Sequence, residues 1–97
     1  MVLRRSPKRT RQLASIGENI VRWRKLQGLS ASAVAERAYV TRQTLRAIEN
    51  GTGTASVDSL FAVLNVLGIT NNVLASMDPT QSESGRALID EQIGLVN

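Results

Sequence analysis

Apolar residues recur at spacings of three and four through most of the chain, which is the period of an amphipathic α-helix. The first such segment begins at Gln12 and stops at Gly28. Its apolar stripe consists of Leu13, Ile16, Ile20 and Trp23. No segment alternates apolar and polar residues in the way that is typical of a strand. The pattern therefore predicts an all-α protein.

Capping residues divide the rest of the pattern into shorter helices. Ser30 and Thr41 are each suited to N-cap a helix, and the helix after Thr41 should end at Asn50-Gly51. A fourth helix begins after Ser56 or Thr54 and ends at Gly68, and a fifth covers about 71–77 before Asp78-Pro79 breaks it. We therefore expect five helices between residues 12 and 77.

Two terminal segments flank this helical region. Residues 1–11 are basic and have little apolar content, so they are predicted to form a flexible arm. Residues 78–97 begin as a linker and end in a weakly amphipathic segment with several apolar residues, which suggests contact with a partner or a second subunit. The fourth helix also has apolar residues on two sides, because Val63 and Val66 lie beside its main stripe.

The amino-acid composition excludes several classes of function. The 97 residues suit one small domain, and they include neither Cys nor His, so thiol chemistry and the commonest metal ligand and general base are excluded. No metal site, cofactor or enzymatic activity is expected. No apolar run approaches the ~18 residues of a membrane span, and no apolar stretch follows the basic N-terminus as in a secretory signal. We expect an intracellular, cytoplasmic protein.

The charge is distributed unevenly. Residues 1–50 contain 11 basic and three acidic residues, whereas residues 51–97 contain one basic and five acidic residues. The first half therefore suits a polyanion, and the second half suits a different partner.

The two short helices at the centre of the basic half make a helix-turn-helix. The segment "IGENIVRWRKLQGLS…VAERAYVTRQTLRAIENG" resembles the Cro and phage-repressor (XRE) class of helix-turn-helix domains, over roughly residues 13–77. The resemblance rests on Arg24, the GLS turn at 28–30, the Val34-Ala35 pair, Val40, Leu45 and the IENG ending at 48–51. Ala31 and Tyr39 depart from the family, which often has Gln and Gly there.

The resemblance implies a lambda-repressor-like fold that places the start of the third helix in the DNA major groove. The residues that it places at base edges are Arg42, Gln43, Arg46 and Ala47. The predicted phosphate contacts are Ser30, Ser32, Thr41, Thr44, Asn50, Arg9 and Arg11. It also implies a structural ion pair between Arg24 and Glu49.

Members of such a family usually act as dimers on a palindromic operator. The predicted interface residues are Val63, Val66, Ile69, Val73 and Met77. The "DP…GRAL" pattern of the tail is similar to the ends of HipB-type antitoxins, which implies an autoregulatory repressor that binds a HipA-like toxin kinase. The alternatives are a stand-alone phage-type or housekeeping regulator, and a protein-interaction adaptor that has lost DNA binding.

Overall fold

The structure, a computed structural model, describes residues 5–96 and is helical throughout. Within that range it contains α1 (Pro7–Leu26), α2 (Ala31–Ala38), α3 (Arg42–Glu49), α4 (Val57–Leu67), α5 (Thr70–Met77), a 3-10 turn (Pro79–Gln81) and α6 (Glu83–Val96). The described residues include no strand, so the all-α prediction is confirmed. The five predicted helices correspond to α1–α5, and α6 forms in the predicted tail.

Side-chain caps fix where the central helices begin. The Ser30 hydroxyl accepts a hydrogen bond from the Ala33 backbone N–H at 3.0 Å, and the Thr41 hydroxyl accepts one from Thr44 at the same distance. At the start of α4 the cap is Ser56, which accepts from Ser59 at 3.0 Å. Each cap satisfies a backbone donor that has no partner within its helix.

The predicted arm is shorter than expected, because α1 already begins at Pro7. Ser6 N-caps this helix by accepting from the Arg9 backbone N–H at 3.1 Å. Proline at the first helical position lacks only an N–H that would have no helical partner there. Residues 7–11 are therefore helical, and residues 1–4 of the predicted arm lie outside the described residues.

The hydrophobic core lies where α2 and α4 pack together and α1 and α3 close over them. Its most buried side chains are Ile20, Val34, Leu45 and Val63, each at most 2% exposed. The main apolar stripe of α4 is predicted to run from Val57 to Leu67 with Val63 beside it, and the structure corrects this at Val63 and Val57. Because this helix is enclosed on several sides, a residue on the flank of the stripe becomes its most buried one, while Val57 at the N-terminus is 71% exposed.

The last helix, α6, stands apart from this core. It packs mainly on the 3-10 turn, which in turn contacts α5. The described chain is accordingly elongated, with principal extents of 55 × 39 × 20 Å. Leu88 and Ile93 on α6 remain more than half exposed.

Candidate nucleic-acid interface

The recognition-helix candidate α3 has one face in the core and one face outside. Leu45 and Ile48 are 1% and 7% exposed, and they anchor the helix against α1 and α2. Because residues three apart lie on the same side of a helix, these two anchors turn the opposite side of α3 outward. The Thr41 cap leaves the N-terminus of α3 open to solvent.

Three of the four predicted base-reading residues lie on that outer side. Arg42, Gln43 and Arg46 are exposed, and none of their side chains forms a hydrogen bond or a salt bridge with another described residue. Ala47 is partly buried and offers only a methyl group. The structure therefore brings two guanidinium groups and one amide together at the start of α3, free to donate to an external acceptor.

Arg24 and Glu49 form the predicted ion pair, which is the only salt bridge among the described residues. Arg24 Nε donates to Glu49 Oε2 at 3.0 Å, and Nη2 donates to Oε1 at 3.4 Å. Nη1 also donates to the Leu29 carbonyl at 3.2 Å. Both side chains are 13% exposed. The pair thus joins α1, the turn before α2 and the end of α3, and it holds the recognition helix in place.

The predicted phosphate contacts on α2 and α3 are available from outside. Ser30, Ser32, Thr41 and Asn50 are exposed and Thr44 is partly so. Thr41 donates its hydroxyl hydrogen to the Thr44 hydroxyl oxygen at 2.9 Å, which leaves the Thr44 hydroxyl hydrogen to donate outward. Hydroxyl and amide donors of this kind are common partners of phosphate oxygens.

Arg9 and Arg11 are arranged differently from the prediction. Both are exposed, but both belong to α1, where residues two positions apart point to nearly opposite sides. Residues 7–11 are therefore helical where a flexible arm was predicted, and the phosphate contacts of Arg9 and Arg11 stay a prediction.

Arg5, the first described residue, contacts the loop that follows α3. Its Nη1 donates to the Gly51 and Thr52 carbonyl oxygens at 3.4 and 3.3 Å, which places a cation beside the loop that follows α3. The sequence offers no signal for this contact, because it joins residues 46 positions apart.

Gly17 is a second structurally important residue that the sequence analysis did not identify. It lies in the middle of α1, and a glycine inside a helical pattern is a signal for close packing.

The predicted dimer residues are only partly at the surface. Val63 is completely buried and Ile69 is 9% exposed, so both belong to the core and the prediction is wrong for Val63. Both side chains belong to the core cluster, and Val63 lies on α4, which packs mainly on α2. Val66 and Val73 are partly buried, and Met77 is 73% exposed.

Within the described range, no group of His, Cys, Asp and Glu side chains could hold a metal ion. Over the same residues, no helix combines the length and the apolar character needed to cross a membrane.

Comparison with known families agrees with this geometry. A family model described as Helix-turn-helix matches residues 20–70, which is just over half of the chain and includes α2, the turn and α3. The chain therefore belongs to the helix-turn-helix family of DNA-binding transcription regulators, and the predicted XRE-type resemblance is confirmed. No curated protein matches the sequence.

Proposed function

We propose that the protein is a transcriptional repressor that binds a specific double-stranded operator as a dimer. The observation that carries the proposal is the exposed side of α3, where Arg42, Gln43 and Arg46 lack intramolecular partners. Arginine donates to O6 and N7 of guanine, and glutamine pairs with N6 and N7 of adenine. A helix that is anchored by Leu45, Ile48 and the Arg24–Glu49 pair can present these groups in a fixed order.

The proposal divides the exposed residues into two roles. Arg42, Gln43, Arg46 and the Ala47 methyl group read base edges, whereas the hydroxyl groups on α2 and α3 hold phosphates. Phosphate contacts set the register of the protein on DNA and carry no sequence information. In a dimer, two copies of α3 would lie about 34 Å apart on a palindrome.

Selection from a random duplex library tests the two roles. The wild-type protein is expected to enrich a palindromic motif. Arg42→Ala, Gln43→Ala and Arg46→Ala should each relax the preference at one position per half-site and weaken binding by roughly 1–3 kcal/mol. Thr44→Ala is the matched control, because loss of a phosphate contact should weaken all duplexes alike.

Charge reversal decides between a repressor and an adaptor that does not bind DNA. Arg42→Glu combined with Arg46→Glu should abolish measurable duplex binding. Unchanged duplex affinity in this variant would refute the proposal. An operator recovered in the selection is then placed over a promoter, where the wild-type protein is expected to lower transcription in vitro.

A second candidate function is that of an autoregulatory antitoxin. It is supported by the tail's similarity to HipB-type proteins and by the exposed Leu88 and Ile93 of α6, which a HipA-like toxin kinase could cover. The native mass of the protein from its own host tests it, with a version ending at Asp78 as the control. A second protein that is retained only by the full-length chain would support this role. If both versions purify without a second protein, this role is refuted.

A further inference from the structure

A groove between α1 and α5 is open in the described part of the molecule. It has a volume of about 320 Å³. Its lining consists mainly of Ile16, Ile20, Trp23, Leu64, Ile69 and Val73, with Asn19, Asn72 and Ser76 at its edges. Ile16 and Trp23 are each about 40% exposed because nothing described covers them. Met77, one turn after Val73, extends the apolar surface along α5.

The helix α6 has an apolar surface of matching character that is only partly covered. Leu88 is 62% and Ile93 is 54% exposed, and the partly buried Ile89 lies between them around the helix. A helix of this length extends over about 21 Å. Single exposed apolar residues need no explanation, but two apolar faces in one small protein indicate a binding surface.

The same chain cannot bring its own α6 into this groove, because the connection between α5 and α6 is rigid. A Cβ on Gly85 would lie 2.2 Å from the Pro79 carbonyl oxygen, so α6 is packed tightly on the 3-10 turn. Asp78 accepts from the Thr80 N–H at 2.9 Å and from its hydroxyl at 2.8 Å. The bond from the Thr80 backbone N–H has the larger effect and the bond from the hydroxyl the smaller one. Together they lower the pKa of Asp78 and keep this cap ionised.

Two more hydrogen bonds fix the direction in which α6 leaves the turn. The Ser82 hydroxyl accepts from the Gly85 N–H at 3.0 Å, and Arg86 Nη1 donates to the Thr80 carbonyl at 3.2 Å. The helix is thus held on the turn, which is the element that it mainly contacts.

Charge favours a second copy of this chain as the occupant. Helix α1 carries six basic residues and one acidic residue, and α6 carries three acidic residues and one basic residue. Asp90 and Glu91 flank the apolar arc of α6, and neither forms a salt bridge within the described residues. Arg22 lies one helical turn from Asn19 at the edge of the groove.

We propose that α6 of each copy docks in the α1–α5 groove of a second copy, so that two reciprocal contacts close a symmetric dimer. Reciprocal contacts of this kind give a closed assembly with twofold symmetry. The inference rests on the dimer part of the proposed function and assigns the surface responsible. Its test uses no DNA, so failure of the docking and failure of operator recognition give separate results.

Disulfide trapping tests the proposal directly, because the natural chain has no cysteine. Ser76→Cys places a thiol at the groove, and Gln92→Cys places one on the apolar arc of α6 between Leu88 and Ile89. Under mild oxidation, a mixture of the two single variants should give a disulfide-linked pair with the mass of two chains. Ala87→Cys, on the opposite side of α6, is the matched control and should give at least tenfold less of this product with Ser76→Cys.

Light scattering on proteins without introduced cysteines gives the second readout. The wild type is expected to have the mass of a dimer, and Leu88→Glu combined with Ile93→Glu should have the mass of a monomer with an unchanged helical spectrum. A wild-type monomer at all concentrations would overturn the proposal. The proposal would also be overturned if Ala87→Cys formed the disulfide with Ser76→Cys as efficiently as Gln92→Cys does. The same holds if Gln92→Cys formed disulfides only with a second copy of itself. A third sample is a single chain that carries both Ser76→Cys and Gln92→Cys. A disulfide within one monomeric chain of this variant would show that α6 reaches its own groove and would also overturn the proposal.

Discussion

At the scale of single residues, Gly17 sets how closely α1 and α3 approach. A Cβ at this position would lie 2.2 Å from the Glu49 carbonyl oxygen and 2.8 Å from that of Ile48. Both neighbours are backbone atoms, so neither can rotate away. We expect Gly17→Ala to lower the free energy of unfolding by at least about 1–3 kcal/mol, which is the usual effect of overpacking.

Urea denaturation followed by circular dichroism measures this effect. Gly94→Ala is the matched control, since Gly94 lies in α6 and its added Cβ would meet no atom within 4 Å. That variant should be unchanged or more stable by up to roughly 1 kcal/mol. Wild-type stability in Gly17→Ala would show that the two helices do not pack as closely as described.

Tyr39 is the second residue with an unusual conformation. It is the C-cap of α2 and adopts φ 56° and ψ 38°, and it is the only described residue other than glycine with a positive φ. Its side chain is 96% exposed, so packing does not offset the strain. Tyr39→Gly should therefore raise the free energy of unfolding by about 1 kcal/mol, because glycine adopts this conformation without a Cβ clash.

A second substitution separates the backbone effect from the loss of the ring. Tyr39→Ala removes the ring but retains a Cβ, so thermal unfolding should show little change in this variant. Equal stabilisation by alanine and glycine would mean that the exposed ring, and not the backbone, destabilises the wild type.

At the scale of the helices, the Arg24–Glu49 pair couples the position of α3 to α1. Glu49→Gln removes the negative charge and leaves the Arg24 guanidinium group, at 13% exposure, with neutral acceptors only, which are the amide oxygen of the new side chain and the Leu29 carbonyl. Loss of one member of a largely buried pair should lower the free energy of unfolding by roughly 2–4 kcal/mol. Glu36→Gln on the exposed side of α2 should change it by less than about 0.5 kcal/mol.

The double variant Arg24→Met with Glu49→Leu completes this test by chemical denaturation. Replacing both charges with apolar side chains should recover most of the lost stability, because no unpaired charge remains. If the double variant is as unstable as Glu49→Gln, the pair does more than keep each buried charge from being unpaired, and its own interaction stabilises the fold.

The helices also show which parts of the fold could be predicted from the sequence. Ser30, Thr41 and Gly68 mark helix ends by local chemistry, so the limits of α2, α3 and α4 follow from the sequence. Other features of the fold depend on tertiary contacts and could not be predicted from local sequence. The burial of Val63 depends on helices packed on several sides of α4, and the contact of Arg5 with Gly51 depends on chain closure. The outward side of α3 was predictable because Leu45 and Ile48 have the helical spacing.

At the scale of the whole molecule, charge separates a nucleic-acid side from a partner side. The basic residues lie mostly on α1, α3 and the segment before α1, whereas half of the eight acidic residues lie on α4 and α6. Such a distribution attracts a polyanion to one side and makes the affinity depend on salt. Each phosphate that is neutralised adds about −0.9 to the slope of log affinity against log salt concentration.

Arg5 gives this dependence a local test. Its guanidinium group lies beside Gly51 and Thr52, directly after α3 and next to Asn50, so a bound backbone that passes this loop would meet it. Arg5→Gln should make the salt slope shallower by roughly 0.9 and leave the preferred operator sequence unchanged. Arg22→Gln removes the same charge from the side of α1 that faces away from α3. Its slope should equal that of the wild type at concentrations where light scattering gives both proteins the same mass, because Arg22 lies near the proposed dimer groove. Fluorescence anisotropy of labelled operator over a range of salt concentrations measures both slopes. Equal changes in the two variants would show that net charge alone sets the slope, and no change in Arg5→Gln would show that the loop after α3 does not contact the DNA backbone through this residue.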